Sequence, residues 1–323
     1  MASASEFALR GQLLDRRRRL AAVSGRAAES VNVQQLLDEV DAALIRMETG
    51  TYGRCEVCGD PIEPGRLLAD PTTRFCLDHL TPHQQRALED DIALAARIQR
   101  ELLPKPGPRP PGWEFGYHYA PAGAVSGDYC DVVPDERGGF FFAVGDVTGK
   151  GVAASMLMSH LHAMFRALLP VNIGLPEMIE RASRVFCEST LPTHFATLAG
   201  GLAAADGTVE VCNAGHPPPL WLHRGVPVPL ESNSLPIGLF CNESFATSRI
   251  RLEPNDLLLL YTDGVVETQN ARGEDYGVKR LSSALAVHGA LDCDGLLAAC
   301  LGDAAAFGAS ADDLTLLAIR KVC

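Results

Sequence analysis

The chain has 323 residues, 47% apolar and 21% charged, which is long enough for two domains and typical of an ordinary globular protein. A formal charge of -12 argues against broad nucleic-acid binding. Met1 to Arg19 hold no apolar stretch long enough for a signal peptide and no later run of about 20 apolar residues would span a bilayer, so a cytoplasmic location without a membrane partner is expected. Ten cysteines in such a chain argue for metal ligands and buried thiols rather than disulfides.

The first predicted element is a helix over Glu6 to Ala22, broken at Ser24-Gly25. It carries Arg16 to Arg19, a run that reads as a solvated helix face or, alternatively, as a contact for an acidic partner or phosphates. Val33 to Thr49 predicts a second helix, with Leu36, Leu37, Val40, Ala43, Leu44 and Met47 at helical spacing. Two helices joined by a short break predict an antiparallel hairpin. Cys55-x2-Cys58 and Cys76-x2-His79 follow. Two close pairs at this separation bring four ligands tetrahedrally around one structural zinc, with the thiolates deprotonated on binding.

The segment GTYGRCEVCGDPIEPGRLLADPTTRFCLDH resembles the DksA/TraR zinc-finger family, through Tyr52-Gly53, Gly59, Ile62, Arg66-Leu67 and Pro71 as well as the ligands. His79 stands where that family has a fourth cysteine. The hairpin tip, Arg26-Ala27-Ala28-Glu29-Ser30, lacks the acidic pair that those factors use inside RNA polymerase, so the resemblance implies an adaptor or sensory module.

Leu80 to Leu103 predicts one long helix, capped at Thr81 with Pro82 in its first turn. Leu88, Ile92, Ala95, Ile98 and Leu102 form a narrow stripe that needs a partner, either the chain's own C-terminal domain or the same helix of a second copy in a parallel homodimer. Pro104 to Gly112 ends the helix in a stiff linker. The expected domains are therefore 1–80, a linker at 81–112, and 113–323.

In the last of these, apolar runs repeatedly meet acidic residues. Phe140 to Val144 reads as a strand buried on both faces and ends near Asp146, where Gly145, Gly149 and Gly151 allow a close turn. Asp256 to Tyr261 delivers Thr262-Asp263-Gly264, Leu314 to Ile319 is entered from Asp312-Asp313, and Ser126 to Asp131 leads into Val132-Val133 through Asp128. These four acidic positions, with no Lys or Arg matched to them in sequence, repel one another if gathered, and a shared cation removes the conflict. Val152 to Leu169 predicts an amphipathic helix directly after the Asp146 turn. Ala196 to Ala205, Asp206-Gly207 and Thr208 to Cys212 predict a hairpin. His216, in Asn213 to Pro217, is either a turn residue or a catalytic histidine.

SGDYCD, VGDVTGKG, NAGHPPPL, YTDGVVE and DDLT, in this order, resemble the SpoIIE/RsbU-like branch of the metal-dependent serine/threonine protein phosphatases, over roughly two-thirds of the chain. The resemblance implies an α+β fold, two central sheets flanked by helices. It implies that Asp146 bridges two Mn2+ or Mg2+ ions, that the Val147 carbonyl completes one site, and that Asp128, Asp263 and Asp312 supply the other carboxylates. Oxygen ligands suit these hard ions better than zinc. Such ions polarise phosphoryl oxygens and activate a water for in-line attack, without a phosphoenzyme. The Arg and His that many eukaryotic relatives use for phosphate binding and proton donation have no placed counterpart. By the same resemblance, the substrate is a phosphorylated STAS-type anti-sigma-factor antagonist in a partner-switching pathway, and an activating partner acts through the long helix. Two alternatives are a non-catalytic zinc-dependent interaction protein and a transcription regulator acting on RNA polymerase.

Overall fold

The structure, a computed structural model, describes residues 4–23, 30–80, 82–105, 110–135, 138–171, 173–191 and 193–322. The chain divides into two compact units, Met1–Asp90 and Asp91–Cys323.

In the first unit, α1 (Ala4–Val23) and α2 (Ser30–Glu48) form the expected antiparallel hairpin. Leu13, Val40 and Ala43 are fully buried between them. Arg17 pairs with Asp41 at 2.7 Å, Arg16 with Asp70 at 3.2 Å and Arg18 with Asp15 at 3.3 Å. Three of the four arginines in the run therefore have acidic partners within the chain, which supports the solvated-face reading. The tip residues 26–29 and the Thr81 cap lie outside the described residues. A short helix α3 (Pro64–Ala69) sits inside the cysteine-rich segment.

The unit boundary falls inside α4 (Pro82–Leu102). Of its predicted stripe, Leu88 and Ile98 are exposed, whereas Leu102 packs into the core of the second unit.

That unit continues with β1 (Trp113–Ala120), β2 (Asp128–Pro134), β3 (Phe140–Val147), α5 (Gly151–Leu168), α6 (Leu175–Ser189), β4 (Ala196–Ala203), β5 (Thr208–Ala214), β6 (Leu220–His223), β7 (Val226–Pro229) and β8 (Ser248–Arg251). It closes with β9 (Leu257–Tyr261), α7 (Asp263–Val266), α8 (Gly277–His288), α9 (Cys293–Phe307) and β10 (Leu314–Lys321). The strands form two antiparallel sheets, ordered β1-β10-β9-β6-β7 and β2-β3-β4-β5-β8.

Period-two alternation explains why strands this apolar are stable here: each has two buried faces. In β3, Phe140, Phe142 and Val144 face the core between the sheets with Leu258, Leu260, Leu317 and Ile319, while Phe141, Ala143 and Val147 face the core under α5 and α6. In β9, Leu257, Leu259 and Tyr261 face α8 and α9. Each fully buried ring or branched chain contributes about 1.5–3 kcal/mol. The result is a helix–sheet–sheet–helix sandwich, the expected α+β fold.

Two features depart from the sequence reading. Residues Gly151–Val171 are long and apolar enough to cross a membrane, with mean hydropathy 1.3. Ala154, Met158, Leu161 and Phe165 of this helix are instead core residues of the sandwich, and Arg166 makes a bidentate pair with fully buried Asp131 of β2. The other departure is a disulfide between Cys187 and Cys241. The segment after Gly238 is drawn against α6 because Ile237 bridges Ala196 and the Gly238 N–H donates to Ser183, which brings together two cysteines 54 residues apart.

Candidate functional site

The acidic residues converge where the ends of β2, β3, β9 and β10 meet. Asp128 and Asp146 are directly opposite each other in the β2–β3 ladder, so Asp146 lies inside the strand, one residue before its end. Asp263 opens α7, and Asp312 and Asp313 precede β10. Gly264 lets these two segments touch, since a Cβ there would fall 2.1 Å from the Asp313 carbonyl oxygen and 3.3 Å from Asp312 Cβ. Gly127 does the same beside β3, where a Cβ would fall 3.0 Å from the Val147 carbonyl oxygen and 3.3 Å from Asp146 Oδ1. Close backbone approach of this kind is open to glycine alone.

The electrostatics show an arrangement strained by like charge. Burial, then the charges of Asp263, Asp312 and Asp313, push Asp146 up to about 7, with Lys150 opposing. Burial and Asp312 raise Asp263. Asp128 is also raised, by burial first and then by Asp146 and Asp313, although Thr315 and Thr262 hydroxyls donate to its Oδ2 at 2.5 and 3.0 Å. The donor set is therefore all oxygen and short of positive charge, which fits a hard divalent cation. Because an ionised carboxylate is needed for such binding, Mn2+ affinity is expected to rise with pH up to about 7, as competition from the Asp146 proton is relieved, and to level off above. Calorimetric titration in buffers of different ionisation enthalpy would count the released protons; a flat affinity across that range would contradict the site.

Sequence reasoning missed the residues that hold these acidic side chains in place. Asp313 accepts from Ser126 Oγ at 2.6 Å, from the Gly127 N–H at 3.1 Å and from the Ala122 N–H at 2.7 Å, so it organises the turn before Asp128. Gln99 of α4, only 3% exposed, donates to the Ser126 carbonyl at 2.7 Å and accepts from the Ser126 N–H at 3.0 Å. Thr262 and Thr315 could have been marked from their places beside Asp263 and after DDL, whereas nothing local marks Gln99. Nor are the carboxylates without a matched base: Lys150, four residues beyond Asp146, reaches Asp312 Oδ2 at 2.8 Å.

His216 is 3% exposed, and burial lowers it to about 3, so near pH 7 it is the neutral imidazole and not an imidazolium acid. Its Nδ1 lies 2.9 Å from Thr197 Oγ1, which is 3.5 Å from the Asp146 carbonyl oxygen. It supports β3 and β4 in the turn that Asn213 closes by accepting from its N–H.

In the first unit, ligand atoms of Cys55, Cys58, Cys76 and His79 all lie within 4.8 Å of one another. Burial raises the Cys55 thiol, but N–H groups of Cys58, Cys76 and Val57 outweigh it and bring it down to about 6. At Cys58 an Asp60 N–H favours the thiolate, yet burial and the neighbouring sulfurs push it up to about 12. A set of three thiols and an imidazole suits zinc and leaves no open position. The motif residues around it have visible work: Gly53 and Gly59 adopt φ of +76°, Tyr52 donates to the Pro71 carbonyl, Arg66 donates to that of Phe75, and Ile62 and Leu67 fill the small core.

Residues 136–322 match the family described as Stage II sporulation protein E (SpoIIE), and residues 50–78 match the prokaryotic DksA/TraR C4-type zinc finger. Phosphoserine phosphatase RsbU of Bacillus subtilis is 26% identical over 192 residues, covering 58% of this chain and 57% of that protein. The RsbU and RsbW domains of Rv1364c from Mycobacterium tuberculosis superpose with a TM-score of 0.61 at 26% identity, over 67% of this chain and 63% of that one. The SiaA-PP2C domain of Pseudomonas aeruginosa gives 0.65 at 19% identity, over 75% and 99%, and shows likeness of fold. Across the curated relatives of the C-terminal region the chain spans from 35% to 57% of their length.

Proposed function

The chain belongs to the SpoIIE family of phosphatases, and from that premise we propose that it is a metal-dependent protein serine/threonine phosphatase regulated through its N-terminal unit. The observation that carries the reading is the convergence of Asp128, Asp146, Asp263 and Asp312 at one end of the sandwich, with the Val147 carbonyl beside Gly127. We assign those five residues as ligands of two Mn2+ or Mg2+ ions, and Cys55, Cys58, Cys76 and His79 as ligands of one structural Zn2+.

When bound, the two divalent ions supply Lewis acidity toward the phosphoryl group and the attacking water. The chain's own residues supply position. Thr262 and Thr315 hold Asp128 Oδ2, which leaves its Oδ1 for a cation. Asp313 fixes the 126–127 turn, and through it the Gly127 carbonyl that accepts from the Val147 N–H at 3.3 Å. Asp146, raised to about 7 by burial and its neighbours, would have to give up its proton to hold a cation.

By family analogy the substrate is a phosphorylated STAS-type anti-sigma-factor antagonist in a partner-switching pathway, and the enzyme is cytoplasmic. Domain limits of 1–80, 81–112 and 113–323 follow the same reading. The exposed Leu88, Leu94 and Ile98 on α4 support a homodimer or an activating partner there. The test is phosphate release from a phosphoserine peptide by the full chain, with Mn2+ and with chelator. Manganese-dependent release is expected; Mn2+ binding without release from any phosphoprotein would favour a scaffold. The finger match at residues 50–78 keeps a second reading, direct action on RNA polymerase, which predicts co-purification of the chain with polymerase.

A further inference from the structure

We propose that Lys150 is the side chain that binds the phosphoryl group of the substrate, exchanging Asp312 for a phosphoryl oxygen as it does so; the inference rests on the phosphatase reading of this site.

Lys150 lies in the turn between β3 and α5, in extended conformation between Gly149 (φ +101°) and Gly151 (φ +71°). A Cβ on either glycine would meet nothing within 4 Å, so the turn opens to solvent. The lysine side chain is 69% exposed and is free to swing on its four-carbon stem. Its ammonium is nevertheless held 2.8 Å from Asp312 Oδ2, beside the carboxylate cluster. Solvent screens an exposed pair of this kind, so it is easily exchanged.

A phosphomonoester dianion approaching this cluster meets Asp146, Asp263, Asp312, Asp313 and Glu267. Lys150 is the cation whose charge already acts at Asp146, Asp263 and Glu267. Its three N–H donors and lack of any acceptor suit non-bridging phosphoryl oxygens. Asp312 engaged as a metal ligand has less to offer the ammonium, so metal loading and release of Lys150 toward substrate are coupled. Lys150 holds charge in this role and transfers no proton.

The test uses the full chain with Mn2+ and inorganic phosphate as probes, comparing wild type, Lys150→Met and Lys150→Arg. Calorimetry gives Mn2+ affinity without phosphate, and 31P relaxation by bound Mn2+ gives phosphate affinity without turnover. Lys150→Met is expected to weaken phosphate binding by a factor of about 10 to 100, the worth of one charge-assisted hydrogen bond, with Mn2+ affinity unchanged or tighter. Lys150→Arg should restore most of the phosphate affinity. Unchanged phosphate affinity in Lys150→Met, or a loss fully accounted for by weaker Mn2+ binding, would overturn the assignment. Phosphate binding that depends on Lys150 in a chain that turns over no phosphoprotein would instead uphold the assignment and refute the phosphatase reading.

Discussion

Asp146→Asn is expected to lower turnover by at least about 1,000-fold, equivalent to about 4 kcal/mol of transition-state stabilisation, while leaving the fold intact. The side chains are isosteric, and Asp146 is half-buried in the β2–β3–β4 ladder, whose backbone bonds do not involve the carboxylate. The variant should also separate metal binding from folding in opposite directions. Asp146 is raised to about 7 in the folded chain, against an ordinary value of 3.8. A raised carboxylic acid binds more protons folded than unfolded across that window, so it lowers stability as pH climbs from about 4 to 7 and carries its full cost above. The amide removes that cost. Without metal, the melting temperature of Asp146→Asn should equal that of the wild type at pH 4 and exceed it at pH 8, whereas Mn2+ should stabilise only the wild type. Retained Mn2+ stabilisation in the variant would remove Asp146 from the ligand set.

The elements and the turns that carry the acidic residues were legible because their signals are local. Phe140 to Val144 is too apolar and too short for anything but a doubly covered strand, and Asp146, Asp263 and Asp312 each stand next to a glycine or at a strand entry. What holds those carboxylates was not legible, because it comes from pairings at long separation. Asp313 reaches the Ser126 turn across 187 positions, and Lys150 reaches Asp312 across 162. Gln99 follows Ile98 of the hydrophobic stripe with no local mark of its own, and only the placement of the end of α4 against the Ser126 turn gives its amide two backbone partners. The Cys187–Cys241 bond was hidden for the same reason, since cysteine spacing alone does not report which loops a sheet edge will draw together.

Cys55→Ser is expected to empty the zinc site and unfold residues 50–79 while the sandwich persists. The argument is one of scale. The core around the cysteines consists of Leu9, Ile62 and Leu67 with the buried sulfurs of Cys55 and Cys76, edged by Met47, Tyr52 and Phe75. Such a cluster cannot offset the chain entropy of about 30 residues at roughly 1–2 kcal/mol each for backbone alone. Structural zinc contributes about 10–16 kcal/mol, enough to decide whether the segment folds. Loss should then spread to the hairpin through Leu9 and through the Arg16–Asp70 and Arg46–Glu56 pairs. The sandwich has its own three apolar clusters and is expected to keep them. Hydrogen exchange read by mass spectrometry would show protection lost from residues 50–79 and retained in β3, β4, β9 and β10. With saturating Mn2+, turnover should stay of the same order, since none of the proposed Mn2+ ligands lies in residues 50–79. Protection retained around Cys55 after zinc is gone would show that the finger folds on side-chain packing, and turnover falling as far as in Asp146→Asn would show that the zinc unit completes the catalytic site.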